Sequence, residues 1–155
     1  MTTAFDVPPD LLIERLGAAL KTGGKATPPE WAPFVRTGLH TEKAPQDRDW
    51  WFRRLAAVFR RVYTMGPIGT SRLAAEFGGR HRDGSAPAHP RKGSGAITRE
   101  CLQQLESLGF VAKAEARGRR VTPAGQKMLD DLAHQILLEL AAKNPELTKY
   151  ARAKA

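Results

Sequence analysis

Residues Asp47 to Met65, DRDWWFRRLAAVFRRVYTM, constrain the fold more than any other stretch of the chain. A helix turns about 100° per residue. On that wheel Trp51, Leu55, Val58, Val62 and Met65 share one side, and Phe52, Phe59 and Tyr63 widen it to an arc of roughly 160°. The opposite side carries Arg53, Arg54, Arg60 and Arg61, with only Ala57 and Trp50 among them. The apolar wall is too broad for a surface helix and needs several partner helices. The arginine row needs an anion. The stretch therefore predicts a core pillar that also faces a ligand.

Charge says where that ligand sits. The chain of 155 residues has a net charge of +9. Residues 1–47 carry 5 basic and 6 acidic side chains, and residues 121–155 carry 5 and 4; the 15 basic and 6 acidic groups of residues 48–120 supply the whole excess. Arginines outnumber lysines there by 13 to 2, and guanidinium forks match phosphate geometry and stack on bases. Basicity concentrated in this way points to a polyanion. A membrane surface fits less well, because the apolar face of 47–65 is better spent in a core. No run of 18 apolar residues suggests a membrane span, and the first residues, with Asp6 and Asp10, do not read as a signal peptide. The one cysteine, Cys101, cannot form an internal disulfide and falls at an apolar helical position. These features predict a cytoplasmic protein. At this length one globular domain is expected, over 1–142, with a flexible C-terminal tail from 143 to 155.

The rest of the chain supplies the partners. Val7-Pro8-Pro9 opens a helix to about Lys21, with Val7, Leu11, Ile13, Leu16 and Leu20 as its apolar positions. A turn around Pro28–Pro33 leads to a short piece at 34–36, and 37–46 is read as loop. After the break Gly66-Pro67-Ile68-Gly69, Thr70 or Ser71 caps a short helix from Arg72 to Phe77. Residues 78–95, GGRHRDGSAPAHPRKGSG, read as a long cationic loop. Ser94 caps a helix over 95–108 with Ile97, Cys101, Leu105 and Leu108 on its face, and Gly109 ends it. Residues 110–121 read as a β-hairpin. Thr122-Pro123 starts a last helix whose apolar face is Met128, Leu129, Leu132, Ile136 and Leu140, and Asn144-Pro145 stops it. The fold class that follows is mainly α: a helical bundle around a central amphipathic helix, with a winged-helix-like part over 47–142 and the short β-hairpin as its wing.

No chemistry of catalysis is visible. His40, His81, His89 and His134 share no metal-ligand spacing, and the glycine pairs form no phosphate-loop motif. No enzyme activity, no cofactor and no small-molecule substrate are expected. The candidate RNA-binding residues are the cations of the basic middle. Arg53, Arg54, Arg60 and Arg61 lie on a face that holds no acid, whereas a merely solvated face mixes signs. Arg80, Arg82, Arg91 and Lys92 lie in the long loop, which on the plainer view is only a linker. Arg117, Arg119 and Arg120 lie on the wing, and Arg72 and Arg99 at helix starts. Of the tryptophans, Trp51 is assigned to the core and Trp31 to packing of the N-terminal segment. Trp50, on the basic side, is left to stack a base.

Eight blocks, in order, resemble one family: Pro29-Glu30-Trp31-Ala32 with Phe34-Val35-Arg36-Thr37-Gly38, Asp49-Trp50-Trp51-Phe52-Arg53-Arg54, Gly66-Pro67-Ile68-Gly69, Phe77-Gly78-Gly79, Gly93-Ser94-Gly95-Ala96-Ile97, Leu102-Gln103-Gln104-Leu105-Glu106 and Gly118-Arg119-Arg120-Val121 continued by Thr122-Pro123-Ala124-Gly125. Together they are similar to the nineteen-e family of small-subunit ribosomal proteins of archaea and eukaryotes, in an archaeal spelling. The likeness runs from about Val7 to Leu140. It implies a monomer within the ribosome, bound to ribosomal RNA in the head of the small subunit beside other small-subunit proteins and taking part in subunit maturation. Carried over by position, the RNA-facing set is the arginines of the central helix, the loop after Gly78-Gly79 and the start of helix 95–108. Glu100, after Arg99, and Ala74, after Leu73, depart from the basic or longer residues expected there. The rival reading is a winged-helix regulator of transcription that reads duplex DNA. The long basic loop and the lack of a dimerisation heptad argue against it. Because the A-form major groove is too narrow for a helix, helix 95–108 is expected not to serve as a recognition helix; arginine rows clamp phosphates instead.

Overall fold

The computed structural model describes residues 2–24 and 26–150, and of Ala116 the backbone alone. Its centre is helix α2, Trp50–Met65. The expected arc is buried: Trp51, Leu55, Val58 and Phe59 are wholly enclosed and Val62 nearly so. Helix α1, Pro9–Thr22, and helix α4, Gly95–Ser107, pack against it, and the last helix, α5, Pro123–Lys143, packs on α1. Polar side chains tie the layers together. The Trp51 indole donates to Gln104 Oε1 of α4 at 3.2 Å, and Gln104 Nε2 donates to the Thr27 carbonyl at 2.8 Å. The Tyr63 hydroxyl donates to Asp130 of α5 at 2.8 Å, and burial, with that carboxylate beside it, pushes the phenol up to about 12.

Two expectations about single faces fail. In α1 the inward stripe is Leu12, Leu16 and Leu20, at spacing four, while Leu11 is exposed. Trp50 does not stand free on the basic side. It is buried, with its ring 5.5 Å from that of Trp51 and edge-on to it. Trp50 is the first residue of α2, so its surroundings are set by what covers the helix end and not by the wheel, and here the large apolar ring turns inward.

Helix α3, Thr70–Glu76, follows α2 and packs on α4. Its N-cap is Gly69, with no side-chain cap, so neither Thr70 nor Ser71 plays that part. The largest correction comes next. The stretch 78–95 is not a loop but an antiparallel hairpin of β1, Gly79–Asp83, and β2, Ala86–Arg91. Gly79 pairs with Arg91, Arg80 with Pro90, His81 with His89 and Asp83 with Ala86, with an irregularity between His81 and Asp83. Gly84, in the left-handed region, turns the chain. The strands bury almost nothing, so the period-two apolar alternation by which strands are recognised is absent.

Helix α4 begins as expected, with the Ser94 hydroxyl accepting from Ile97 N. Ile97, Cys101, Leu102 and Leu105 are buried, and burial raises the Cys101 thiol far above its ordinary value. The buried Thr98 hydroxyl donates to the Gly95 carbonyl at 3.1 Å. The wing is β3, Val111–Lys113, paired with β4, Arg119–Val121, and the connection before α3 adds a bridge from Ile68 to Arg119. Helix α5 starts with Thr122 accepting from Gly125 N at 3.2 Å. Asn144 caps its end, and a 3-10 turn follows at Pro145–Lys149; residues 151–155 of the expected tail lie outside those described. The order α2, α3, hairpin, α4, wing, α5 is a mainly α, winged-helix-like plan with a second hairpin between its two central helices.

Candidate nucleic-acid interface

The four arginines of α2 leave the helix in one sector, but they do not form a uniform open row. Arg53 is exposed, with Nη1 3.3 Å from Asp47 Oδ2. Arg53 and two neighbouring groups hold the Asp47 carboxyl below its usual range: chiefly the Asp49 backbone N–H, then Arg53, with Lys21 adding a little. Arg61 Nη2 is 3.5 Å from Glu76 Oε2 at the end of α3. The Arg54 guanidinium lies over the Phe77 ring, 4.5 Å from its centroid, and burial pushes its pKa down. Arg60 is half-buried, and its Nε is enclosed without a hydrogen-bond partner. Burial, then the neighbouring Arg61, lower its pKa. The acids Asp47 and Glu76 stand outside the helix, where a wheel cannot show them. Arg53 and Arg54 also line a cleft of about 460 Å3 with Ile13, Pro45, Trp50, Ala57 and Phe77, so one side of this sector offers apolar surface as well as charge.

The hairpin β1–β2 is the other cationic element. Arg80, Arg82, Arg91 and Lys92 are all exposed, and among the described residues no ion pair engages any of them. Arg80 and Arg82, with His40, Glu42, Lys43 and His81, line a shallow depression of about 430 Å3. The base of the hairpin is held by the segment before α2. Ser94 N donates to the Thr37 carbonyl at 2.9 Å, Gly38 bridges Gly93, and Gly93 N donates to the Ala74 carbonyl at 2.8 Å. The His40 imidazole fills the space beside Gly38 and Gly79, where a Cβ would come within 2.8 and 2.7 Å of it. Ala74 is buried, which explains why a long cationic side chain is not found there.

The wing separates its three arginines. Arg119 Nε donates to Glu106 Oε2 at 2.9 Å, and its side chain keeps only 17% of its exposure. Arg117 and Arg120 point to solvent. Arg72 on α3 and Arg99 on α4 are exposed. The structure therefore brings Arg80 and Arg82 together, groups Arg53 with Arg54, and leaves Arg72, Arg99, Arg117 and Arg120 as single surface cations. Lys43 and His40, which sequence reasoning did not single out, join the hairpin side. The Gly84-Ser85 dipeptide, which is the two-residue loop between the paired Asp83 and Ala86, was the signal that could have found this hairpin.

Fold and surface together define a mainly α, winged-helix-like protein with a cationic sector and a projecting cationic hairpin, and among the described residues no group of side chains suited to holding a metal. Among the described residues no helix is long and apolar enough to cross a membrane. The family model described as Ribosomal protein S19e matches residues 3–139. Relatives carrying the name small ribosomal subunit protein eS19 include one from Aeropyrum pernix, 45% identical over 97% of this chain and 99% of its own. One from Haloarcula marismortui is 43% identical over 97% of this chain and 100% of its own. A fission-yeast form, from Schizosaccharomyces pombe, is 40% identical over 86% and 93%. The chain belongs to the ribosomal protein S19e family, and with it has a structural, non-enzymatic role in the ribosome.

Proposed function

We propose that this chain is built into the small ribosomal subunit by gripping ribosomal RNA in the subunit head. Its hairpin cations Arg80, Arg82, Arg91 and Lys92, together with Arg53, Arg54 and Arg60 of α2, supply the phosphate contacts. The observation that carries the reading is the hairpin. Among the described residues it projects four cations with no carboxylate in an ion pair with them, buries little of itself, and is clamped at its base. A folded element that contributes so little to the core is useful for what it touches. Binding by phosphate neutralisation needs shape and charge rather than base readout, which suits folded RNA better than a helix laid in a groove. Arg60 is half-buried and makes no ion pair among the described residues, which leaves the outer part of its guanidinium for a phosphate. Arg61 and Arg119, engaged with Glu76 and Glu106, contribute mainly to the fold. Other small-subunit proteins meet the chain on faces outside this sector, and its absence stalls subunit maturation.

The test is co-sedimentation of the full chain with small subunits through a high-salt wash, beside its affinity for small-subunit ribosomal RNA and for duplex DNA. Retention, tighter RNA binding and a steep fall of affinity with salt are expected. Base-specific affinity for duplex DNA, with loss from subunits, would overturn the reading in favour of a regulator of transcription.

A further inference from the structure

We propose that Phe34 is a stacking platform for one unpaired base of the RNA that the neighbouring cations hold; this rests on the RNA-binding reading above and adds an interaction of a different kind to it. Phe34 is the most exposed large apolar residue described, at 85%. The other exposed aromatic rings have company: Phe5 lies 5.6 Å from Tyr63, Trp31 packs on Trp51 at 5.7 Å, and Tyr150 carries Lys149. Among the described residues Phe34 has no such ring or cation neighbour.

Its exposure is not that of a frayed segment. Phe34 ends the 3-10 turn Ala32–Phe34, whose second residue is Pro33. Ala32 is buried, and Phe34 N donates to the Trp31 carbonyl at 3.1 Å. The ring is presented by a fixed turn, so little conformational entropy is given up when something lies on it.

What lies on it is decided by the charge around it. Arg36 follows two residues later, no more than about 7 Å along the chain, and is exposed. The next residue, Thr37, is bonded to Ser94, and Gly38 is bridged to Gly93, directly after the cations Arg91 and Lys92. The same loop ends at His40 and Lys43 beside Arg80 and Arg82. A lone ring at the edge of a cationic surface matches a nucleotide, whose base offers a π-face and whose phosphates seek the cations. A protein partner would have to bring its own acids to the same place. Sequence reasoning looked for a stacking residue among the tryptophans; the structure turns Trp50 inward and leaves Phe34 outside.

The test measures binding of the full chain to small-subunit ribosomal RNA over a series of salt concentrations. Phe34→Ala is expected to lower affinity about tenfold, the worth of one stacked base, with the melting temperature and the slope of affinity against salt unchanged. Phe34→Trp is expected to restore binding and Phe34→Leu not to. Undiminished binding by Phe34→Ala would overturn the proposal, and so would full rescue by Phe34→Leu, which would mark a contact made by apolar area and not by stacking. Failure of the unaltered chain to bind the RNA would overturn the functional reading as well, so the two failures are told apart by the parent protein.

Discussion

The molecule contains two antiparallel hairpins, both rich in arginine, and they are built to opposite ends. The wing β3–β4 has strands of three residues, yet it is fastened on every side. Val111 is buried, Ile68 and Arg119 exchange two backbone hydrogen bonds of 3.0 Å, the Thr122 hydroxyl donates to the Gly109 carbonyl at 2.7 Å, and Arg119 is held by Glu106. The hairpin β1–β2 is longer, is fastened only at its base, and leaves its cations free of ion pairs among the described residues. An arginine in a hairpin is therefore not one kind of residue. Where a carboxylate and a covering strand meet it, it holds the fold; where neither does, it is available to a phosphate.

The sharpest way to break this contrast uses two glycines, one in each hairpin and both in the left-handed region. Gly118 has φ +94°, and a Cβ there would sit 2.5 Å from the Ile68 carbonyl group. Gly84 has φ +60° and open space around it. Gly118→Ala adds backbone strain to a clash with main chain that cannot step aside, and is expected to cost about 3 kcal/mol. Chemical denaturation would read the loss, and a value near zero would show that the wing is no better anchored than the hairpin. Next in size is Arg119→Ala, which strands the half-buried Glu106 beside a lone Lys113 partner at 3.7 Å. It is expected to cost about 1.5 kcal/mol and to weaken RNA binding less than removal of a hairpin cation. The opposite ranking would return Arg119 to the interface. Gly84→Ala carries the strain alone, about 1 kcal/mol, and is expected to lower the melting temperature by about 2–4 °C.

These differences also mark what was legible in the sequence. The parts whose side chains are buried could be read, because burial imposes a period. The arc of α2 and the Ser94 and Thr122 caps stand where patterning puts them. The wing was visible because Val111 and Val121 flank a polar tip. The hairpin β1–β2 was not, because strands that face water on both sides need no alternation; Gly84-Ser85 alone betrayed the turn. The fates of the α2 arginines were hidden for another reason. Their partners Glu76 and Phe77 lie at the end of α3, and Asp47 lies just before α2 begins, and a helical wheel records neighbours within the helix alone. Leu11 was misplaced by one step around a helix, which is the resolution of the wheel itself; Trp50 was misplaced because it is the first residue of α2, where what covers the helix end decides burial.

The finest contrast is between removing an anchor of the fold and removing a grip on the RNA. Arg80→Ala combined with Arg82→Ala deletes two exposed cations that make no ion pair among the described residues, so the melting curve of the free chain is expected to stay where it was. The effect belongs to RNA binding, and it has a quantitative form. Each phosphate that is no longer neutralised flattens the plot of log affinity against log salt by about 0.7 to 0.9. The double variant is therefore expected to lower the slope by about 1.5, while Arg119→Ala leaves it unchanged. Phosphate neutralisation is the only role that moves the slope without moving the melting temperature. A double variant that melts early would mean that these arginines brace the hairpin, and one whose slope is intact would mean that the RNA passes the hairpin by.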